Sequence, residues 1–328
     1  VTEAPRETPA ADAGGERISV AVSSCLLGQE VRYDGGHKHN SYITQTLGRY
    51  FDFVAYCPEV AIGLGVPRPP IKLVQEQDGV RVRGVRDPSL DVTDELRQYG
   101  KKVAGELDAV CGYLFKKGSP SCGIERVKIY RPQGEPIGQG AGMYARTIME
   151  CLPELPVEEE GRLMDPGLRE NFVERVFVYN RWKNLLRSGI DAAALVDFHT
   201  RHKFIVLAHD EPVYRELGRL VADAGSADLG ATAQLYICRL MRALAKIATR
   251  GRHANVLMHI AGYFKRHLDA SDRAELLEII EEYRLGRLPL VVPVTLLKHH
   301  LRRYPEPYIG HQYYLNPHPR ELMLRNHI

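Results

Sequence analysis

The chain has 328 residues, 44% hydrophobic and 26% charged, with a formal net charge of +3, a composition that suits a globular protein of two domains. No uninterrupted apolar run of about 18 residues occurs, so no transmembrane helix and no membrane partner are expected. The small net charge hides an asymmetry: residues 161–328 hold 25 Lys and Arg against 18 Asp and Glu, together with 11 of the 13 histidines. Such an imbalance points to a polyanionic partner for the second half.

Val1 to Glu16 is rich in Ala, Gly, Pro, Thr and Glu and has no apolar core. It reads as a disordered lead-in without a secretory signal, so a cytoplasmic protein is expected. Ile18 to Ser24 runs apolar as a buried strand does and ends at Cys25. A glycine-rich loop, Leu26 to Gly36, leads to a predicted helix over His39 to Phe51 with Asn40 or Ser41 as its cap. Phe53 to Tyr56 is a second strand and ends at Cys57, followed by Pro58 and Glu59. Ala61 to Pro70 is too broken by Gly and Pro to be regular. Ile71 to Gln75 and Gly79 to Gly84 read as a hairpin, Asp91 to Leu107 as a helix, and Val110 to Phe115 and Val127 to Tyr130 as strands. Gly134 to Gly142 could cradle phosphate but fits no dinucleotide fingerprint, and a flexible loop closing over a site is the favoured reading. Strands alternating with helices predict an α/β domain over 17–150 with a mostly parallel, Rossmann-like sheet.

Residues 151–165 read as a Pro- and Glu-rich linker, and 166–328 as an all-α, basic domain. Phe172, Val173, Val176, Phe177 and Tyr179 recur at helical spacing, and helices fit Asp191 to Leu207, Glu211 to Ala224, Ala231 to Thr249, His253 to Leu268, Ser271 to Leu285 and Val291 to Arg303. Between Asp228 and Asp269 there is no acidic residue, while Arg239, Arg242, Lys246, Arg250, Arg252, Lys265 and Arg266 all fall there. The first four recur at helical spacing and should share one face, a candidate for contact with RNA phosphates. His199 and His202, with His209 near them, and the adjacent His299 and His300 lack a His-Glu-x-x-His pattern, so they read as surface or hydrogen-bonded histidines. Trp182 reads as core.

Six cysteines in a chain of this kind favour metal or catalytic use over disulfides. Cys111 and Cys238 read as core residues, and Cys151 is open. Cys25, Cys57 and Cys122 share one context of strand, turn and thiol, and thus gather where open parallel sheets bind ligands. Three thiolates are one short of the usual four on an iron–sulfur cluster, which leaves an iron free for a soft substrate sulfur. Glu59, two residues from one thiol, is the favoured catalytic carboxylate; Asp34, in Tyr-Asp-Gly-Gly, divides evenly between turn and catalysis; Ser119 could relay a proton.

Ser23-Ser24-Cys25-Leu26-Leu27-Gly28 with Val31-Arg32-Tyr33-Asp34-Gly35, then Cys57-Pro58-Glu59, then Lys116-Lys117-Gly118-Ser119-Pro120-Ser121-Cys122-Gly123, resembles the TudS family of thiouracil desulfidases over residues 17–150. The resemblance implies a [4Fe-4S] cluster on Cys25, Cys57 and Cys122, non-redox replacement of a thiocarbonyl sulfur by water, and a carboxylate and a serine in the pocket. Asn171 to Phe177 and Phe198 to Lys203 resemble a helical companion domain fused behind such modules. The fused arrangement is similar to bacterial desulfidases acting on 4-thiouridine in tRNA, which implies tRNA as the partner. Desulfidation of free thiouracil or a thionucleotide is the alternative, and a regulatory RNA-binding protein with a structural metal is the second.

Overall fold

Val20, Ala21 and Val22 are wholly buried, because strand β1 (Ile18–Ser23) runs through the interior of a sheet. Burial of successive residues, whose side chains alternate between faces, means that both faces of the strand are covered. The computed structural model describes residues 17–225 and 228–327; the expected lead-in lies outside them. These residues form two units, one of Arg17–Asp165 and one that begins at Pro166.

In the first unit, β1 pairs in parallel with β2 (Phe51–Tyr56) on one side and β5 (Tyr113–Phe115) on the other, and β8 (Val157–Glu159) continues the sheet beyond β5. A second sheet has the order β4-β3-β6-β7 and is built from β3 (Ile71–Glu76), β4 (Gly79–Gly84), β6 (Val127–Tyr130) and β7 (Pro136–Gly140). Helices α1 (Pro58–Ala61), α2 (Thr93–Glu106) and α3 (Met143–Cys151) connect them. The fold is the expected α/β domain followed by an all-α one. The division into two sheets is a departure: β6 pairs with β3 of the hairpin rather than with β5.

Three local expectations are corrected. His39 to Phe51 is not one helix but a wide π-type turn over Tyr42–Thr46 followed by a 3₁₀ turn over Leu47–Arg49. Asn40 does accept from Ile43 N at 3.1 Å, as a cap should, but the Thr44 hydroxyl bonds back to the Asn40 carbonyl, and Thr46 and Gly48 are weak helix formers. Residues 151–165 are not a free linker, because β8 lies within them and Glu158 and Glu159 are buried. Gly134 to Gly142 is not a lid over the site, since Pro136–Gly140 is β7, paired antiparallel to β6.

The glycines of that segment serve packing. A Cβ on Gly142 would lie 2.6 Å from Ser121 C and 2.8 Å from Pro120 O. The close approach lets Gly142 N donate to Gly123 O at 2.7 Å, Met143 N to Pro120 O at 3.0 Å and Ala145 N to Ser121 O at 3.0 Å. Helix N-termini carry N–H groups without intrahelical partners, and here the first turn of α3 uses them to hold the loop that carries Cys122.

The second unit consists of α4 (Pro166–Arg187), α5 (Ala192–His209), α6 (Glu211–Ala222), α7 (Leu229–Leu244), α8 (Arg250–Tyr263), α9 (Ala270–Arg284), α10 (Val291–Arg303) and the short α11 (Pro307–Gly310). Asn171 to Tyr179 is buried on every side of α4, as befits a helix at the centre of its domain. Trp182 is core: its ring stacks on Tyr236 and meets Phe198 edge-on. His199 Nδ1 bonds the Tyr236 hydroxyl at 3.2 Å, His202 Nδ1 bonds Phe198 O at 2.7 Å, and His209 Nε2 bonds Glu174 Oε1 at 2.9 Å. No helix of the described residues is long and apolar enough to cross a membrane.

Burial pushes His202 and His253 down to about 3, and His199 and His318 to about 4. These rings are neutral in the fold at a pH where the unfolded chain, with ordinary histidines, takes up protons. Stability is therefore fully present above about pH 6.5 and is lost progressively as pH falls from there toward the folded values of about 3 to 4. Thermal unfolding of the intact chain should show its helical transition dropping steadily from pH 7 to pH 5; a flat profile there would contradict it. Gly142→Ala should destabilise the first unit by about 1–3 kcal/mol through overpacking, as read by denaturant unfolding.

Candidate functional site

The turns after β1, β2 and β5 deliver three thiols to one place. Cys25 lies in the 3₁₀ turn Ser24–Leu27, which ends at Gly28 with φ of 92°. The returning chain is pinned there, Lys38 N donating to Cys25 O and Asn40 N to Leu26 O, both at 2.9 Å. Cys57 occupies the N-cap of α1, with Pro58 at the first helical position, where a missing N–H is harmless. Cys122 ends a turn in which Ser119 Oγ accepts from Ser121 N at 3.2 Å and Cys122 N at 3.1 Å.

All three cysteines line a cavity of about 310 Å³, together with Arg32, Tyr33, Glu59, Arg68, Lys116, Lys117 and Ser119. The other three do not line it: Cys111 is buried, Cys151 is exposed at the end of α3, and Cys238 lies in α7. Burial pushes the Cys25 thiol up to about 11, against the pull of the nearby Lys116 ammonium. Burial also raises Cys57 and, more strongly, Cys122, where the Glu59 carboxylate adds to the effect. Without a cation the thiols hold their protons, and a metal would displace them. Among the described residues, no group of three His, Cys, Asp or Glu side chains could hold one metal ion. The thiols are therefore set around the cavity and do not close on a single point.

Glu59 is held from two sides. Arg68 Nε and Nη2 donate to its Oε2 at 2.9 and 2.7 Å. The Ser121 hydroxyl donates to its Oε1 at 2.9 Å, and Ser119 makes a longer 3.4 Å contact with the same oxygen. Arg68 also donates to Gly65 O at 2.8 Å and Val31 O at 3.0 Å. Two backbone N–H groups occupy the Ser119 oxygen, and its O–H proton points to Glu59 Oε1 over the long 3.4 Å contact, at the edge of the cavity that Ser119 lines. Ser121 is wholly buried and positions Glu59 from behind.

Asp34 is not among the lining residues. It is paired with Arg32, whose Nε and Nη2 lie 3.2 and 3.1 Å away, and accepts from Gly36 N at 3.1 Å. The Arg32 guanidinium holds its carboxyl below the usual range. Of the two roles that the sequence left open to it, the structure assigns the turn. Lys116 and Lys117, by contrast, face the cavity, and Glu160 ties them down: its carboxylate pairs with the Lys116 ammonium and accepts from Lys117 N at 2.6 Å. None of Arg68, Ser121 and Glu160 stands out as a site residue in the sequence. The one hint was a lone Arg in a Gly- and Pro-rich stretch.

The basic residues of the second unit do not form the expected single face. Helix α7 ends at Leu244, and Thr249, whose hydroxyl accepts from Arg252 N, opens α8. Arg239 and Arg242 therefore lie on one helix, while Lys246 falls between helices and Arg250 begins the next. Arg239 pairs with Glu216, Lys246 with Asp210, and Arg252 donates to the His209 carbonyl. Arg242, Lys265 and Arg266 are exposed, and Arg250 borders a cavity of about 180 Å³ with Glu170 and His253.

Residues 20–160 match the family model for 2-thiouracil desulfurase, and residues 203–319 match that for a protein of unknown function, DUF1722. The uncharacterized protein YbgA of Escherichia coli (strain K12) is 37% identical over 153 residues, which cover 46% of this chain and 90% of that protein. The uncharacterized protein YbbK of Bacillus subtilis (strain 168) is 32% identical over 111 residues, covering 32% of this chain and 72% of that one. Among solved structures, the [4Fe-4S]-dependent thiouracil desulfidase TudS is 32% identical, with a TM-score of 0.36, and the match covers 45% of this chain and 95% of that chain.

Removing Arg68 would leave the half-buried carboxylate of Glu59 without its cation. Arg68→Met should cost about 3–5 kcal/mol in denaturant unfolding of the first unit, whereas Asp34→Asn should leave turnover of a thiobase substrate near that of the parent.

Proposed function

This chain belongs to the 2-thiouracil desulfurase family, and on that premise we propose that it hydrolyses the thiocarbonyl of 4-thiouridine in tRNA, releasing uridine and sulfide. The observation that carries the reading is one cavity that holds Cys25, Cys57, Cys122 and a clamped Glu59. The residues fit a [4Fe-4S] cluster on the three cysteines: the donors are soft thiols spread around a cavity, no fourth cysteine lines it, and Arg32, Lys116 and Lys117 offset the negative charge of bound thiolates. When bound, the cluster would supply a Lewis-acidic iron with one free position, which matches a soft sulfur.

The protein groups account for the rest of the chemistry. Glu59 Oε1, turned away from Arg68, orients a water and takes its proton as the water oxygen bonds to the thiocarbonyl carbon. As the new C–O bond becomes a carbonyl the C–S bond breaks, and the sulfur takes the bond's electron pair and the proton held by Glu59 to depart as hydrosulfide, while the water's second proton passes to solvent. The Ser119 hydroxyl, whose contact with Glu59 is long at 3.4 Å, turns to donate to the heteroatom that gains charge. Oxygen replaces sulfur at the same oxidation level, so no electron donor is required.

The tRNA part of the reading is supported by the basic surplus of the second half. A 4-thiouracil base must leave its stack to enter the cavity, at a cost of a few kcal/mol, and contacts with the RNA backbone offset that cost. Such a substrate implies a cytoplasmic enzyme. A second reading, hydrolysis of free thiouracil, is favoured by a cavity near the low end of small-molecule sites, about 300–1,000 Å³.

Sulfide release from thiolated tRNA and from free 4-thiouracil should be compared on the anaerobically reconstituted chain. Preference for tRNA by a factor of ten or more in kcat/KM is expected; equal or better use of the free base sinks the tRNA reading. Glu59→Gln should lower kcat about 10²–10⁴-fold while iron content stays at the parent level.

A further inference from the structure

Helix α10 and the segment 315–326 enclose a cavity of about 450 Å³ in the second unit. Lys298, Arg302 and Arg320 line it and no Asp or Glu does. None of these three cations has an ion-pair partner among the described residues. Neighbouring Arg303, by contrast, reaches Asp272 at 3.7 Å. The polar partner of Lys298 is the neutral amide of Asn316, whose Oδ1 accepts from its Nζ at 2.5 Å. Arg325 also borders the cavity, but Glu170 and Glu174 take its charge on the other side, at 3.1 and 3.3 Å.

Like charges at this spacing repel. Lys298 and Arg302 stand one helical turn apart, an unfavourable pairing for two cations. Burial, with Arg320, Arg325 and Arg302 around it, holds the Lys298 ammonium down at about 8. Arg239 and Lys246 of the same unit, by contrast, are matched by Glu216 and Asp210, and Arg242, Lys265 and Arg266, unmatched among the described residues, line neither this cavity nor the one beside Arg250. A concave cluster of unmatched cations, with Lys298 half-buried and amides beside it, is the arrangement that an anion completes. Two guanidinium forks suit the tetrahedral oxygens of a phosphate, and the lysine supplies a point charge.

The geometry points to a phosphate-binding pocket formed by Lys298, Arg302 and Arg320, which takes a backbone phosphate of the RNA substrate. The source of the phosphate rests on the RNA reading above; the phosphate chemistry rests on the pocket alone.

The test uses the intact chain, fluorescein-labelled unmodified tRNA, and inorganic phosphate and uridine monophosphate as small probes. Arg302 and Arg320 are exposed, so the double variant Arg302→Gln/Arg320→Gln should fold, as checked by its melting temperature; Lys298→Met is a second, independent variant. The double variant should bind tRNA at least about tenfold more weakly, and its log K against log salt slope should fall by about 2. If tRNA binding is unchanged but millimolar phosphate or uridine monophosphate raises the melting temperature of the parent and of neither variant, the pocket stands with a small phosphate as its source. Equal responses of parent and variants to all three probes overturn it, as does an equal loss on Arg303→Gln, which would make the effect one of diffuse charge. Failure of the parent to release sulfide from any thiobase would sink the desulfidase reading and leave the pocket standing.

Discussion

One buried guanidinium connects the parts of the site that the sheet alone cannot align. Arg68 is 8% exposed, and burying a cation is costly unless its N–H groups are satisfied. Here they are: two nitrogens meet one oxygen of Glu59, one donates to Gly65 O and one also to Val31 O. Those partners belong to the loop after Cys25 and to the segment after Cys57. The Val31 carbonyl that Arg68 grips is also the contact of Cys57 Sγ, at 3.8 Å. A single side chain thus sets two cysteine loops against each other and turns one oxygen of Glu59 toward the serines.

The third cysteine is held by different means. Its loop is fixed by backbone N–H groups of α3 and by the Ser119 oxygen, and two carboxylates hold its ends, Glu59 at the Ser121 hydroxyl and Glu159 at Ile124 N. This matters for the electrostatics, because Cys122 is the most deeply buried thiol of the three and already feels the negative charge of Glu59. The cations lie instead on the side of Cys25, where Lys116 and Arg32 face the thiol.

The strand, turn and thiol pattern made the three cysteines legible, because β1, β2 and β5 are short apolar runs and a parallel sheet brings their ends together. Glu59 was legible from its closeness to Cys57 in the chain. Arg68 and Ser121 were not, because their roles arise from contacts across distant segments that no local spacing records. Strand β8 was hidden by its own composition. Val157-Glu158-Glu159 reads as solvated, yet Glu159 Oε1 accepts from Ile124 N at 2.9 Å and Glu158 Oε1 from Arg162 Nε at 2.6 Å, so both acids are matched inside. In the helical half, cations spaced every three or four residues suggested one face, but a threonine cap at 249 broke the helix that would have carried it.

The position of β8 has a consequence for the order in which the site matures. Glu160, directly after that strand, secures the lysines that wall the cavity beside Cys25. The pocket is therefore framed by residues from the start and the end of its domain, and a ribosome-bound chain that has reached only Cys122 lacks both α3 and this closing strand. Domains generally fold as units, earlier ones first, during synthesis. Any group held by the three cysteines would thus load after release of residue 160 from the exit tunnel, and the trailing helices emerge only once the first unit can stand complete.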